Sequence, residues 1–96
     1  MAAASRFSDL SPAWQACFRQ GWQAFLAGNV PIGSAITDAS GQVLFQSRNR
    51  ISDTSPPPRQ TCNNQLAHAE LNTILMIEGK PAGIHDWQIY SLVEPC

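Results

Sequence analysis

The chain has 96 residues, 44% of them hydrophobic and 14% charged, with a net charge of −1. That describes one domain with room for a modest core and excludes two. The balance lacks the basic footprint that binding a nucleic-acid backbone leaves, which argues against an RNA partner without excluding one. No stretch approaches the roughly 18 consecutive apolar residues of a membrane span. The opening "MAAASRFSDL" has neither the basic nor the apolar region of a secretory signal, so a cytoplasmic protein without a membrane partner is expected.

In chain order, Ser11 and Pro12 supply an N-cap and a first helical residue, "AWQACFRQGWQAFLAG" follows, and Gly28 is placed to terminate. Trp14, Cys17, Phe18, Gly21 and Phe25 share one face of this first helix, and Trp22 and Leu26 widen it. Core packing is the expected use of that stripe. "IGSAITD" and "QVLFQS" alternate around "ASGQ", where Gly41 provides turn chemistry, and predict an antiparallel hairpin. "NRISDTSPPPRQTCNNQ" is polar, and its three consecutive prolines exclude helix or central strand. It reads as a loop long enough to be functional or mobile. "AHAELNTILMIEG" predicts a second helix, with Ala69, Thr73, Leu75, Met76 and Ile77 available for packing, and "WQIYSLVE" a third strand. Helix, strand, strand, helix, strand is the order of an α/β layer architecture whose last strand follows a helical crossover.

The cysteines are three, Cys17, Cys62 and Cys96, widely spaced and without a C-x-x-C, so burial or metal ligation is a better reading than a disulfide framework. Cys17 reads as buried core. Cys62 lies six residues before His68 and reads as incidental, with substitute ligation left open. One place gathers chemistry: "HAE", at His68, Ala69 and Glu70, opens the second helix, and Pro95-Cys96 closes the following strand. In an α/β sheet the end of a strand and the start of a neighbouring helix commonly meet at one ligand-binding edge. Imidazole and thiolate are both good zinc ligands. On a regular helix His68 and Glu70 would point about 200° apart, but in the first turn both can reach the space above the helix end, where a carboxylate can move a proton to or from a metal-held water. Taken singly, His68 reads as a capping or surface residue, Glu70 as a first-turn complement to the helix dipole, and Asn49 as a strand-end turn residue. His85 has no matching partner and reads as a loop histidine.

His-Ala-Glu followed after a strand by Glu-Pro-Cys resembles the zinc-dependent cytidine deaminase superfamily and its H-x-E…P-C-x-x-C signature. "VPIGSAITDASGQVLFQSRNR", "LAHAELNTIL" and "IYSLVEPC" look more narrowly like the branch of tRNA adenosine deaminases, guanine deaminases and related nucleoside deaminases. The resemblance implies a three-layer α/β/α cytidine-deaminase-like fold, present here as helix, hairpin, helix and strand, with 1–96 forming a single partial domain. It implies Zn2+ held by His68 and Cys96, Glu70 as the proton shuttle, and Asn49 with the Ala69 backbone as substrate contacts. The implied reaction is hydrolysis of an amino group to a carbonyl with release of ammonia. The implied substrate is a nucleobase or nucleoside, or alternatively adenosine within a tRNA, and the implied complete protein is a homo-oligomer. The family's second cysteine is due three positions after Cys96. The expectation is therefore a domain cut within its zinc motif, binding zinc weakly, exposing apolar faces and depending on a partner. A non-catalytic interaction module is the reading from another class.

Overall fold

The computed structural model describes residues 6–92. After a 3-10 turn at Phe7–Asp9, helix α1 spans Pro12–Leu26, strands β1 and β2 span Gly33–Thr37 and Val43–Arg48, helix α2 spans Ala69–Leu75, and strand β3 spans Gln88–Ser91. The sheet order is β2-β1-β3, with β1 antiparallel to both neighbours. Side chains alternate across a strand, so Ala35 joins Ala16 and Cys17 of α1 on one face while Ile36 lies with Ile74 of α2 and Ile77 just past it on the other. The α/β architecture is therefore three-layered, as expected.

Helix α1 starts where its capping signal stands: the Ser11 hydroxyl oxygen accepts from the Trp14 amide at 3.5 Å, with Pro12 at the first position. Its packing face differs from the expected one. Ala13, Ala16, Cys17 and Ala24 are buried, whereas Phe18, Trp22, Phe25 and Leu26 are 48–61% exposed. The reason is steric: α1 lies so close to the sheet that only small side chains fit between them. A Cβ on Gly33 would overlap the Cys17 carbonyl oxygen and approach the Gly21 amide nitrogen to 2.7 Å. Trp14 alone of the aromatic stripe reaches the sheet, edge-on to Tyr90 with ring centroids 5.2 Å apart. Trp22 and Phe25 stack on each other and, with Phe18, Gly21, Pro31 and Leu92, border an open apolar hollow of about 390 Å³. Burial pushes the Cys17 thiol up to about 11, against a smaller lowering by a backbone hydrogen bond at Ala35, so it is an inert core group at neutral pH.

The hairpin forms around Gly41, whose φ is +90°. Asp38 organises it, one carboxylate oxygen accepting from the Ser40 and Gln42 amides and the Ser40 hydroxyl at 2.6–3.0 Å. These bonds, the Ser40 hydroxyl first among them, hold the Asp38 carboxyl below the usual carboxylate range.

Helix α2 is shorter than the pattern over 67–79 predicts. Past Leu75 the chain turns off the helical path, and the Arg59 guanidinium donates to the Leu75 and Ile77 carbonyls at 3.2 and 3.0 Å. Its sheet-facing side is Ala69, Asn72 and Thr73, all buried, while Leu75 is exposed. The opposing surface is equally small and polar, because the register sets Ser34 against both Ser47 and Ser91. Among the described residues no helix is long and apolar enough to cross a membrane.

Gly33→Ala is expected to lower stability by about 3 kcal/mol, because backbone on both sides must move; urea unfolding measures this. Thr37 is 1% exposed with its hydroxyl oxygen unpartnered among the described residues. Thr37→Val should raise stability by about 1 kcal/mol in the same assay, since the orphaned group is replaced by a methyl of the same shape.

Candidate active site

The register pairs Gly33 with Arg48 and Ser34 with Ser91, so the ends of β2 and β3 lie at one edge of the sheet, beside the start of β1. The start of α2 is brought to the same edge by the connection that leaves β2. The Arg50 amide donates to the Ala67 carbonyl at 2.8 Å. Asn72, fully buried, accepts from the Thr61 amide at 2.8 Å and donates to the Arg48 carbonyl at 3.4 Å.

A charged hub secures the first half of this connection. The Asp53 carboxylate accepts from Arg48 and Arg50 at 2.9 Å each and from the Asn29 amide at 2.7 Å, with the three charged side chains only 11–13% exposed. Asn29 in turn accepts from the Ser52 amide at 2.7 Å, tying the loop to the segment after α1. Arg50 also donates to Gln60 at 2.8 Å, and Gln60 is bonded by the Ser47 hydroxyl. Burial acts to raise the Asp53 pKa, but the hydrogen bonds from Asn29, Arg50 and Arg48 and the Arg48 charge outweigh it and hold the carboxyl below its ordinary value. The segment 49–65, read from sequence as functional or mobile, is thus tied down by hydrogen bonds at both of its ends.

At its end His68 is the N-cap of α2, with extended backbone (φ −77°, ψ 157°) and no capping bond from its side chain. Its carbonyl accepts the first helical bond, from the Asn72 amide at 3.0 Å. Because His68 stands outside the helix, the 200° divergence of a regular helix does not apply. Its Nδ1 lies 3.5 Å from Glu70 Oε1, with the two side chains 32% and 14% exposed. The second carboxylate oxygen, Oε2, accepts from the Ser91 hydroxyl at 3.1 Å. The end of β3 and the start of α2 therefore meet, as the sequence predicts, and the contact is made by a serine that the sequence reading did not single out.

Asn49 is 3% exposed at the end of β2. Its Oδ1 accepts from the Ile51 amide at 3.1 Å, the local turn contact that the residue type suggests. That turn contact uses the Oδ1 acceptor and not the Nδ2 donor. Ala69 is buried against the sheet. Cys96 lies outside the described residues. Cys62 is not gathered with His68 and Glu70: among the described residues no group of three or more His, Cys, Asp and Glu side chains is placed to hold a metal.

No protein-family model matches the chain, and no curated protein matches it. Among solved structures, it is similar to one from biochemical and structural studies of A-to-I editing by tRNA:A34 deaminases at the wobble position of transfer RNA. The TM-score is 0.63 at 24% identity, covering 88% of this chain and 59% of that one. This likeness shows a shared fold.

Asp53→Ala leaves two largely buried guanidinium groups without their counter-charge and is expected to cost about 3 kcal/mol in urea unfolding. Because the folded-state pKa of Asp53 is lowered, the stabilisation is complete above its ordinary value of about 3.9 and fades as the pH falls through the lowered one. The acid-unfolding slope of the wild type should accordingly be flattened in Asp53→Ala.

Proposed function

We propose that this chain carries the first part of a zinc-dependent hydrolytic deaminase of the cytidine deaminase superfamily, acting on a nucleobase or nucleoside. One observation carries the reading: the Glu70 carboxylate is held between the His68 imidazole and the Ser91 hydroxyl, 3.5 and 3.1 Å away, where two strand ends meet a helix start. A fully ligated imidazole–thiolate site needs three protein donors. The described residues offer one imidazole, at the N-cap of α2 and one-third exposed, with a neighbouring carboxylate. His68 fits as one ligand, Cys96 would be a second, and a third would come from outside the described residues. Zinc at such a site supplies Lewis acidity that brings the pKa of a coordinated water towards ~7.

The remaining steps belong to side chains of this chain. Glu70 takes a proton from the attacking water as its oxygen bonds to the amino-bearing carbon; of the two water protons one goes to the adjacent ring nitrogen and the other to the exocyclic nitrogen, the carbon–nitrogen bond breaks, ammonia leaves and the oxygen stays as the carbonyl. Its low exposure limits exchange of that proton with bulk solvent. The Nδ2 donor of Asn49, which the turn contact does not use and which stands on the strand end linked to Ala67 through Arg50, is suited to hold an acceptor on the base edge. The Ala69 backbone stands at the same helix start. A second reading, deamination of adenosine in a tRNA loop, is supported by the structural similarity to a tRNA:A34 deaminase. Cytoplasmic location and a homo-oligomeric state belong to the same proposal.

The test is ammonia release by the natural gene product from cytosine, guanine, adenine, their nucleosides and unmodified tRNA. Glu70→Ala should lower the rate by about 10²–10⁴-fold with bound zinc unchanged by metal analysis. Full activity in Glu70→Ala would remove the assigned role of that carboxylate. Release from tRNA alone would select the second reading, and no release from any substrate would favour a non-catalytic module.

A further inference from the structure

Ser91 occupies a position that packing does not explain. Along β3 the side chains alternate, and Tyr90 meets Trp14 of α1, so Ser91 faces α2, on the same side as its cross-strand partner Ser34. Ser34 is fully buried and its own hydroxyl donates to the Tyr90 carbonyl at 2.8 Å, so its proton is not offered to Glu70. The Ser91 hydroxyl is instead given to Glu70 Oε2 at 3.1 Å, while Oε1 faces His68. A glutamate carboxylate otherwise rotates broadly about its last torsion, exchanging its two oxygens. A donor fixed on a strand removes that freedom, because the serine has one rotatable bond before its hydroxyl and the strand is hydrogen-bonded to β1.

We propose that Ser91 is a positioning residue for Glu70: its hydroxyl engages Oε2 and leaves Oε1, the oxygen beside His68, as the one that carries the proton. The inference rests on the reading of Glu70 as proton shuttle. It assigns Ser91 no contact with substrate or metal. It therefore separates rate from binding, since misorienting the carboxylate slows proton transfer without altering the groups that hold the base.

The experiment compares Ser91→Ala, Ser91→Thr and Glu70→Ala in the natural gene product loaded with zinc, using a substrate that the panel above identifies. Ser91→Ala is expected to lower kcat about tenfold, the worth of one hydrogen bond to a charged group, with KM and zinc content unchanged. Ser91→Thr, which keeps the hydroxyl, should restore kcat to within about twofold. A readout independent of turnover is the side-chain carboxyl 13C resonance of Glu70, identified by its loss in Glu70→Gln. It should move in Ser91→Ala and return in Ser91→Thr. Wild-type kcat in Ser91→Ala beside an inactive Glu70→Ala overturns the positioning role and leaves the shuttle standing. An active Glu70→Ala, or an absence of turnover throughout, overturns the shuttle reading and this inference with it. Equal defects in both Ser91 variants, or a change confined to KM, would show packing or binding instead and overturn the proposal.

Discussion

One carboxylate between two guanidinium groups determines where the long connection from β2 to α2 runs. Asp53 draws Arg48 at the end of the strand, Arg50 just beyond it and Asn29 after α1 to a single point. A loop of this length would ordinarily leave its far end free to wander. Here the Arg50 amide, next to that hub, bonds the carbonyl of Ala67, so the position of His68 is set from a point 18 residues earlier in the chain. The carboxylate pairs with both guanidinium groups and the cluster keeps one positive charge in excess, so the hydrogen bonds from Asn29 and to Gln60 complete the pairing that burial of charge requires. Asn72 repeats the logic from the helix side, using both ends of its amide to join Thr61 and Arg48.

The contact between α2 and the sheet is small and polar for a related reason. Ser47, Ser34 and Ser91 stand abreast on three strands, and Ala69, Asn72 and Thr73 face the sheet from the helix. Short side chains on both surfaces let the helix start approach the strand ends closely enough for Glu70 to meet Ser91. The cost is a core with little apolar bulk. The largest fully buried side chains are Asn72, Thr37, Thr73, Cys17, Ser34 and Ser47, while Trp22, Phe25, Leu26 and Leu66 are exposed by more than half. Hydrophobic burial is the main favourable term in folding, and much of the chain's capacity for it is unused among the described residues.

The backbone was largely legible in the sequence because its signals are local. Ser11-Pro12 starts α1, Gly41 turns the hairpin, and alternation marks the strands. What was not legible depends on distance between layers. A stripe of Trp and Phe at helical spacing predicts a buried face, but periodicity carries no measure of clearance, and the glycine contact at Gly33 selects the alanine face instead. The same limit applies to α2, where Arg59, 16 residues before Leu75, takes the Leu75 carbonyl that a longer helix would have used. For the site, "HAE" located two of the residues now seen together, His68 and Glu70. Their proximity follows from His68 being a cap and not a helical residue, a boundary that pattern alone places to within a residue or two at best. Ser91 had a weaker signal, a hydroxyl on the inward face of an otherwise apolar strand, which only the register turns into a contact. The Asp53 hub had none, since a charged residue in a polar loop normally reads as solvated.

Packing and chemistry converge on the last residue of β3 and the residue after it. Leu92 borders the apolar hollow beside Phe18, Trp22 and Phe25 on the α1 side, and Ser91 holds the carboxylate on the α2 side. Both depend on the pairing of β3 with β1, where Leu92 still donates to Gly33 at 3.4 Å. Gly33 is also a point where α1 lies too close to the sheet for a Cβ to fit. A shift of α1 relative to the sheet is therefore passed through Gly33 and Leu92 to Ser91, and so to the Glu70 carboxylate. The close helix–strand approach that displaced the aromatics from the core is, on this geometry, the same feature that fixes the platform on which the carboxylate rests.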